Sequence, residues 1–138
     1  MKPLLKIIAS VLLFINGIGA IIGGYNLLTA PDGTNIGLTL QMLKYSPFDD
    51  YFIPGLILFI INGLFSFFVF IMLFIRYRHY AWYIIAQGIV LTCWIMVQVI
   101  MLKIFVILHL VMGLTGILLI ITGWGLTRIH RSELKERY

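Results

Sequence analysis

Four long stretches of this sequence carry no Asp, Glu, Lys or Arg: Ile7 to Pro31, Tyr51 to Ile75, Tyr80 to Leu102 and Ile104 to Thr127. Only 11% of the residues are charged, against about 25% in ordinary soluble domains. That shortage excludes a water-soluble globule, which needs more polar surface than this chain can supply. The single cysteine, Cys93, excludes an intramolecular disulfide and any paired-cysteine redox centre. No carboxylate lies within the four runs, so the embedded acid on which small proton-exchanging exporters depend is missing. His109 is the only histidine in the runs. His79 and His130 flank the opposite ends of their runs, which excludes a haem held between two histidines at one depth. No HExxH, GxSxG or glycine-rich phosphate loop occurs. The residues therefore point to no catalytic group, no metal and no cofactor.

What is present is apolar length. A hydrocarbon core of about 30 Å is crossed by about 20 apolar helical residues, and each run reaches that length. The runs are continuously apolar rather than alternating, which predicts helices and not a barrel. The reading is an all-α, integral membrane four-helix bundle in a single domain, with spans at about 4–28, 51–75, 80–102 and 104–127. Lys103 alone separates the last two, so they must fold back in a tight turn around Met101 to Phe105. The first run has a basic start, but it is longer than a signal-peptide core and lacks a convincing cleavage site, so we read it as a retained helix.

Orientation follows from the basic flanks. Lys2, Lys6, Arg76, Arg78, Arg128, Arg131, Lys135 and Arg137 share one side, and only Lys44 and Lys103 fall on the other. Both termini are thus expected in the cytoplasm. The net charge of +5 is a topology signal with attraction to anionic lipid, not a nucleic-acid surface. Tyr25, Tyr45, Phe48 and Tyr51 at one end, and Tyr77, Tyr80, Trp82, Tyr83 and Trp124 at the other, form the two aromatic belts expected of an interface.

The longest loop joins the first two runs. Pro31-Asp32-Gly33 signals a turn. Ile36 to Lys44 reads as a short interfacial helix with Ile36, Leu40 and Leu43 on one side. Ser46-Pro47-Phe48-Asp49 reads as a helix start, with Ser46 as cap and Asp49 complementing the dipole. Asp49 and Asp50 also offer a cation two adjacent acids, though acids at a helix start more often serve the dipole. Pro54 either kinks the second helix or marks its true beginning. In the C-terminal tail, which reads as a helical extension, Glu133 and Arg137 have the spacing of a surface pair.

In lipid, helices pack through small residues and occasional polar groups. The inward stripes predicted on that basis are Asn16, Gly19, Ala20 and Gly23; Gly55, Asn62 and Ser66; Gln87, Leu91, Trp94 and Gln98; and His109, Gly113, Gly116, Ile120 and Gly123. Asn16 and Asn62 sit in a shared word, Phe14-Ile15-Asn16-Gly17 and Ile60-Ile61-Asn62-Gly63. Both fall at mid-depth, where they either join two helices or mark an inverted repeat of the kind found at transport sites. Gln98 and His109 flank the hairpin turn at similar expected depth. With Trp94 below and Tyr51 above, they form either a polar clasp or a ligand site.

The words Phe14-Ile15-Asn16-Gly17, Ser46-Pro47-Phe48, Ile53-Pro54-Gly55, Asn62-Gly63 and Trp94-Ile95 with Gln98 resemble small four-span bacterial membrane proteins of unknown function. The resemblance implies a four-helix bundle in the bacterial inner membrane and transfers no functional residue. The expected role is a membrane-embedded binding, sensing or accessory protein in contact with the lipid bilayer. A small oligomeric transporter or channel is the alternative, and a homo-oligomer or another membrane protein is an open partner.

Overall fold

A computed structural model describes all 138 residues, Met1–Tyr138. Four long helices dominate it: α1 (Lys2–Thr29), α2 (Phe52–Phe74), α3 (Tyr80–Leu102) and α4 (Ile107–Glu136), each long and apolar enough to cross a membrane. Pro3 begins α1, where a missing N–H costs nothing, and Pro31 follows its end, where it cannot continue the helix. Helix α3 stops at Lys103, whose φ of 52° puts it in the left-handed region while its N–H still donates to the Val99 carbonyl at 2.9 Å. A lysine does here what glycine usually does, which is why the turn left no glycine signal. The turn occupies Lys103 to Val106, so α4 begins three residues later than expected.

The outward faces identify the solvent these helices suit. On α1, Leu4, Ile7, Val11, Ile15, Ile18 and Ile22 recur every three or four residues, and all are exposed. A helix on a water-soluble protein turns such a stripe inward. Here the inward stripe is Leu13, Asn16, Gly17, Ala20, Gly24 and Leu27. That register corrects the expected one. Gly19 is exposed with nothing near the position of a side chain, whereas Gly17 and Gly24 face α2. A Cβ on Gly24 would stand 2.7 Å from the Phe59 backbone nitrogen. Small residues did mark the contact, but composition alone could not choose between glycines two-fifths of a turn apart.

Two more expectations about the long loop change. Ile36 to Lys44 does not form one helix. It makes two 3-10 turns, Thr34–Ile36 and Leu40–Leu43, separated by Gly37 at φ 75°. Leu43 is buried there while Ile36 and Leu40 are exposed, so the three do not share a side. Ser46 closes a turn instead of capping α2: its Oγ donates to the Leu43 carbonyl at 2.9 Å and accepts from the Phe48 N–H at 3.3 Å. Helix α2 starts at Phe52, where Asp50 accepts the Phe52 N–H at 3.0 Å. Pro54 consequently falls in the first turn, where its missing N–H removes no helical hydrogen bond. The irregularity of α2 lies further on, in a π-helical stretch from Leu58 to Leu64.

At the end that holds both termini, one apolar cluster draws on all four helices: Ala9 and Leu13, Val69 and Leu73, Ala81 and Ile84, Leu119 and Leu126. At the long-loop end the core divides in two. Leu91, Trp94 and Ile95 form one, called the outer cluster, and Leu27, Leu43 and Tyr51 form the other, the loop cluster. Lys2 Nζ reaches Glu133 at 2.9 Å, tying the two terminal segments together. Glu133 takes that partner in place of the expected Arg137, because α1 brings a lysine alongside.

Candidate functional site

The seam between α3 and α4 changes character along its length. Near the termini it is closed by glycines. A Cβ on Gly123 would lie 3.0 Å from the Ala81 carbonyl oxygen, and one on Gly88 would lie 2.6 Å from the Gly116 carbonyl oxygen. Backbones this close leave no room between them. One turn beyond Gly116 the helices part. At Gly113 an added Cβ would meet only Ile95 Cγ2, at 3.9 Å. There a groove of about 410 Å³ opens, walled by Ile95, Met96 and Val99 of α3 and by His109, Gly113 and Leu114 of α4, with Phe105 of the turn at its end. Its rims, Met96, Ile100, Leu114 and Ile117, are exposed on the lateral surface. The groove therefore opens sideways, toward whatever surrounds the bundle.

His109 stands at the turn end of this groove, buried and tilted against Phe105 with ring centres 6.2 Å apart. Its Nδ1 accepts the Val106 N–H at 3.3 Å, while the His109 backbone N–H donates to the Val106 carbonyl at 3.0 Å. This reciprocal pair caps the start of α4, a role usually given to Ser, Asp or Glu side chains. An accepting Nδ1 leaves Nε2 as the ring's donor in the neutral form. The expected equal depth of Gln98 and His109 assumed helix on both sides of Lys103. Residues 104 to 106 are not helical, so His109 sits in the first turn of α4, while Gln98 lies well inside α3. Gln98 is half-buried, lies outside the groove lining and makes no hydrogen bond with His109. Trp94 is buried in the outer cluster, and its indole N–H has no protein acceptor. Tyr51 belongs to the loop cluster, where its hydroxyl donates to the Thr39 carbonyl at 2.8 Å. Leu58 packs against both clusters.

At the turn end, Lys103 and Lys44 converge on one ring. Their ammonium groups lie 3.9 and 4.9 Å from the centre of Tyr45, and neither has a carboxylate partner. Lys103 follows the end of α3 and precedes Phe105, which closes the groove, by two residues.

A second polar feature lies in the middle of the bundle. Asn16 Nδ2 donates to Ser66 Oγ at 2.7 Å and reaches the Asn62 carbonyl oxygen at 3.5 Å. The expected pairing of two asparagine side chains is thus replaced by Asn16 with Ser66. Ser66 lies one helical turn after Asn62 on the same face, and that i+4 spacing was the available signal. Asn16, Asn62, Ser66 and Gln87 are all fully buried. Asn16 Oδ1 and both amide atoms of Asn62 and of Gln87 have no protein partner. An unmet buried polar atom costs about 1–3 kcal/mol, so such a group calls for an explanation.

The groove residues Met96, Val99 and Ile100 carry no recognisable motif, and a gap between helices has no sequence signature. Comparison with known protein families, curated proteins and solved structures finds no match, so the functional reading rests on this geometry.

Proposed function

We propose that this chain is a multi-pass protein of a bacterial inner membrane, with both termini in the cytoplasm, that binds a lipid-type molecule in the groove between α3 and α4. The basic flanks support the orientation, and the outward apolar stripes support the surroundings. One observation carries the binding reading: a groove of about 410 Å³, apolar along its walls, that opens to the side of the bundle. An occupant entering from that side comes from the hydrocarbon region, and its chain replaces lipid contacts with contacts to Met96, Val99 and Leu114. Lys103, two residues before Phe105 of the groove, and Lys44 beside it on the Tyr45 ring are unpaired with acids and suit an anionic headgroup such as a phosphate. The chain then acts by holding or sensing its ligand, with no bond made or broken.

The alternative of an oligomeric transporter draws mainly on Asn16 and Asn62. Those side chains are enclosed among the helices of one chain, which gives a second copy no polar face to share.

Gly113→Leu tests the binding reading, because Gly113 lines the groove and an added Cβ there meets no backbone. A phospholipid with a photoreactive group in its acyl chain should label α3 and α4 between Thr92 and Ile117 in the native protein. Labelling there should fall at least tenfold in the variant. Equal labelling of all four outward faces, unchanged by the substitution, would overturn the proposal.

A further inference from the structure

The buried amides in the middle of the bundle have a definite place in the packing. On α1, Asn16 follows Leu13 of the terminal-end cluster. On α2, Asn62 and Ser66 lie between Leu58, which packs on the outer cluster, and Val69 of the terminal-end cluster. On α3, Gln87 lies between Ile84 of the one and Leu91 of the other. On each of three helices a buried amide thus falls between residues of the terminal-end cluster and residues that pack in the clusters at the long-loop end.

The unmet atoms describe their own ligand. Asn62 Nδ2 and Gln87 Nε2 are donors, while Asn16 Oδ1, Asn62 Oδ1 and Gln87 Oε1 are acceptors. A metal cation would satisfy only the oxygens, and no carboxylate in these helices offsets its charge. An anion would satisfy only the amide N–H groups, and an apolar guest would satisfy neither. Exchanging nitrogen and oxygen on any one amide does not alter this, since each side chain carries both kinds. A ligand that both donates and accepts, is uncharged and fits between packed helices is water. The π-helical stretch Leu58–Leu64 is a second, independent sign. It sets Asn62 in a widened turn whose carbonyl already receives Asn16, and such turns concentrate at functional positions.

We propose that Asn16, Asn62 and Gln87 form a buried hydration site, in which a small cluster of water molecules bridges α1, α2 and α3. The site is separate from the lateral groove, whose lining contains none of these side chains. Its occupants exchange with bulk water only when the bundle opens, so they reside long enough to be detected one by one.

The test uses the full chain in lipid nanodiscs, labelled with nitrogen-15 at Asn and Gln side chains. Rotating-frame Overhauser spectra read at the water frequency should show direct cross-peaks to the amide groups of Asn62 and Gln87, opposite in sign to chemical exchange. Exposed Asn35 provides the exchange-only reference. In Gln87→Leu the Asn62 cross-peak should fall at least twofold and the thermal midpoint should drop, because the bridged water loses a partner. Absence of both cross-peaks in the native protein overturns the proposal, as does a rise in the midpoint of the variant. If Gln87→Leu does not fold, the native spectra alone decide.

Discussion

The two halves of the α3–α4 seam are built from the same material and behave in opposite ways. Gly88, Gly116 and Gly123 bring backbone against backbone, while at Gly113, one turn further on, an added Cβ would meet no backbone and only the Ile95 side chain. A glycine is therefore not in itself a packing residue. It permits approach only where the partner helix arrives, and α3 arrives at Gly116 but has diverged at Gly113. The closed half excludes a guest, and the open half offers one a wall. A hairpin held firmly at one end and splayed at the other makes a lateral groove without any change in composition.

The strongest way to break this comparison is to spoil the closed half. In Gly116→Leu the new side chain meets Thr92 and the Gly88 carbonyl, and the loss of stability should be about 3 kcal/mol or more. Stepwise unfolding in detergent measures it, and a variant as stable as the native chain would show that the seam is not locked there. Gly113→Leu sharpens the same contrast from the open side. It should leave the unfolding midpoint unchanged or slightly raised, since leucine favours a helix over glycine by about 0.8 kcal/mol, while lipid labelling falls as described above. Equal destabilisation by both leucines would erase the distinction between the halves.

A smaller effect is expected at the open end of the hairpin. His109→Ala removes the acceptor of the Val106 N–H and should cost about 1 kcal/mol, the usual worth of a helix cap. Amide exchange should quicken over Val106 to Leu110 and remain unchanged around Gly123. Protection that stays unaltered throughout would deny His109 its capping role.

The smallest effect belongs to the closed end. The hydrogen bond from Lys2 holds the Glu133 carboxyl below its ordinary value of 4.5. Its folded value is therefore the lower one. The contribution is present above the ordinary value and disappears as pH falls through the lowered one. Lys2→Gln should return the Glu133 titration, followed by carboxyl carbon shifts, to the ordinary range. No change in that titration would show that the pair does not persist. Because the pair lies at the surface, stability should hardly respond.

How far the sequence could be read depended on the kind of signal. Helix α3 was legible from Tyr80 to Leu102 because charged residues bracket it on both sides. The charge-free run beginning at Tyr51 put the start of α2 close to Phe52, but Ser46-Pro47, which has the chemistry of a helix start, is used for a turn six residues earlier. The inward face of α1 was found to within one register, so Asn16 and Ala20 were placed correctly and Gly19 was not. His109 was picked out for its rarity in an apolar run, yet its cap on Val106 depended on where the turn ended. Ser66 stood in the inward stripe, but its bond to Asn16 required knowing how α1 and α2 rotate against each other.

The sequence by itself determined that four helices form and that their apolar length matches a membrane. Those properties add up residue by residue along one run and need no partner. Only the tertiary structure decided which glycines touch, which amides remain unmet, and that α3 and α4 part beyond Gly116. Each of these depends on the distance and rotation between two helices, which the packing of all four sets together.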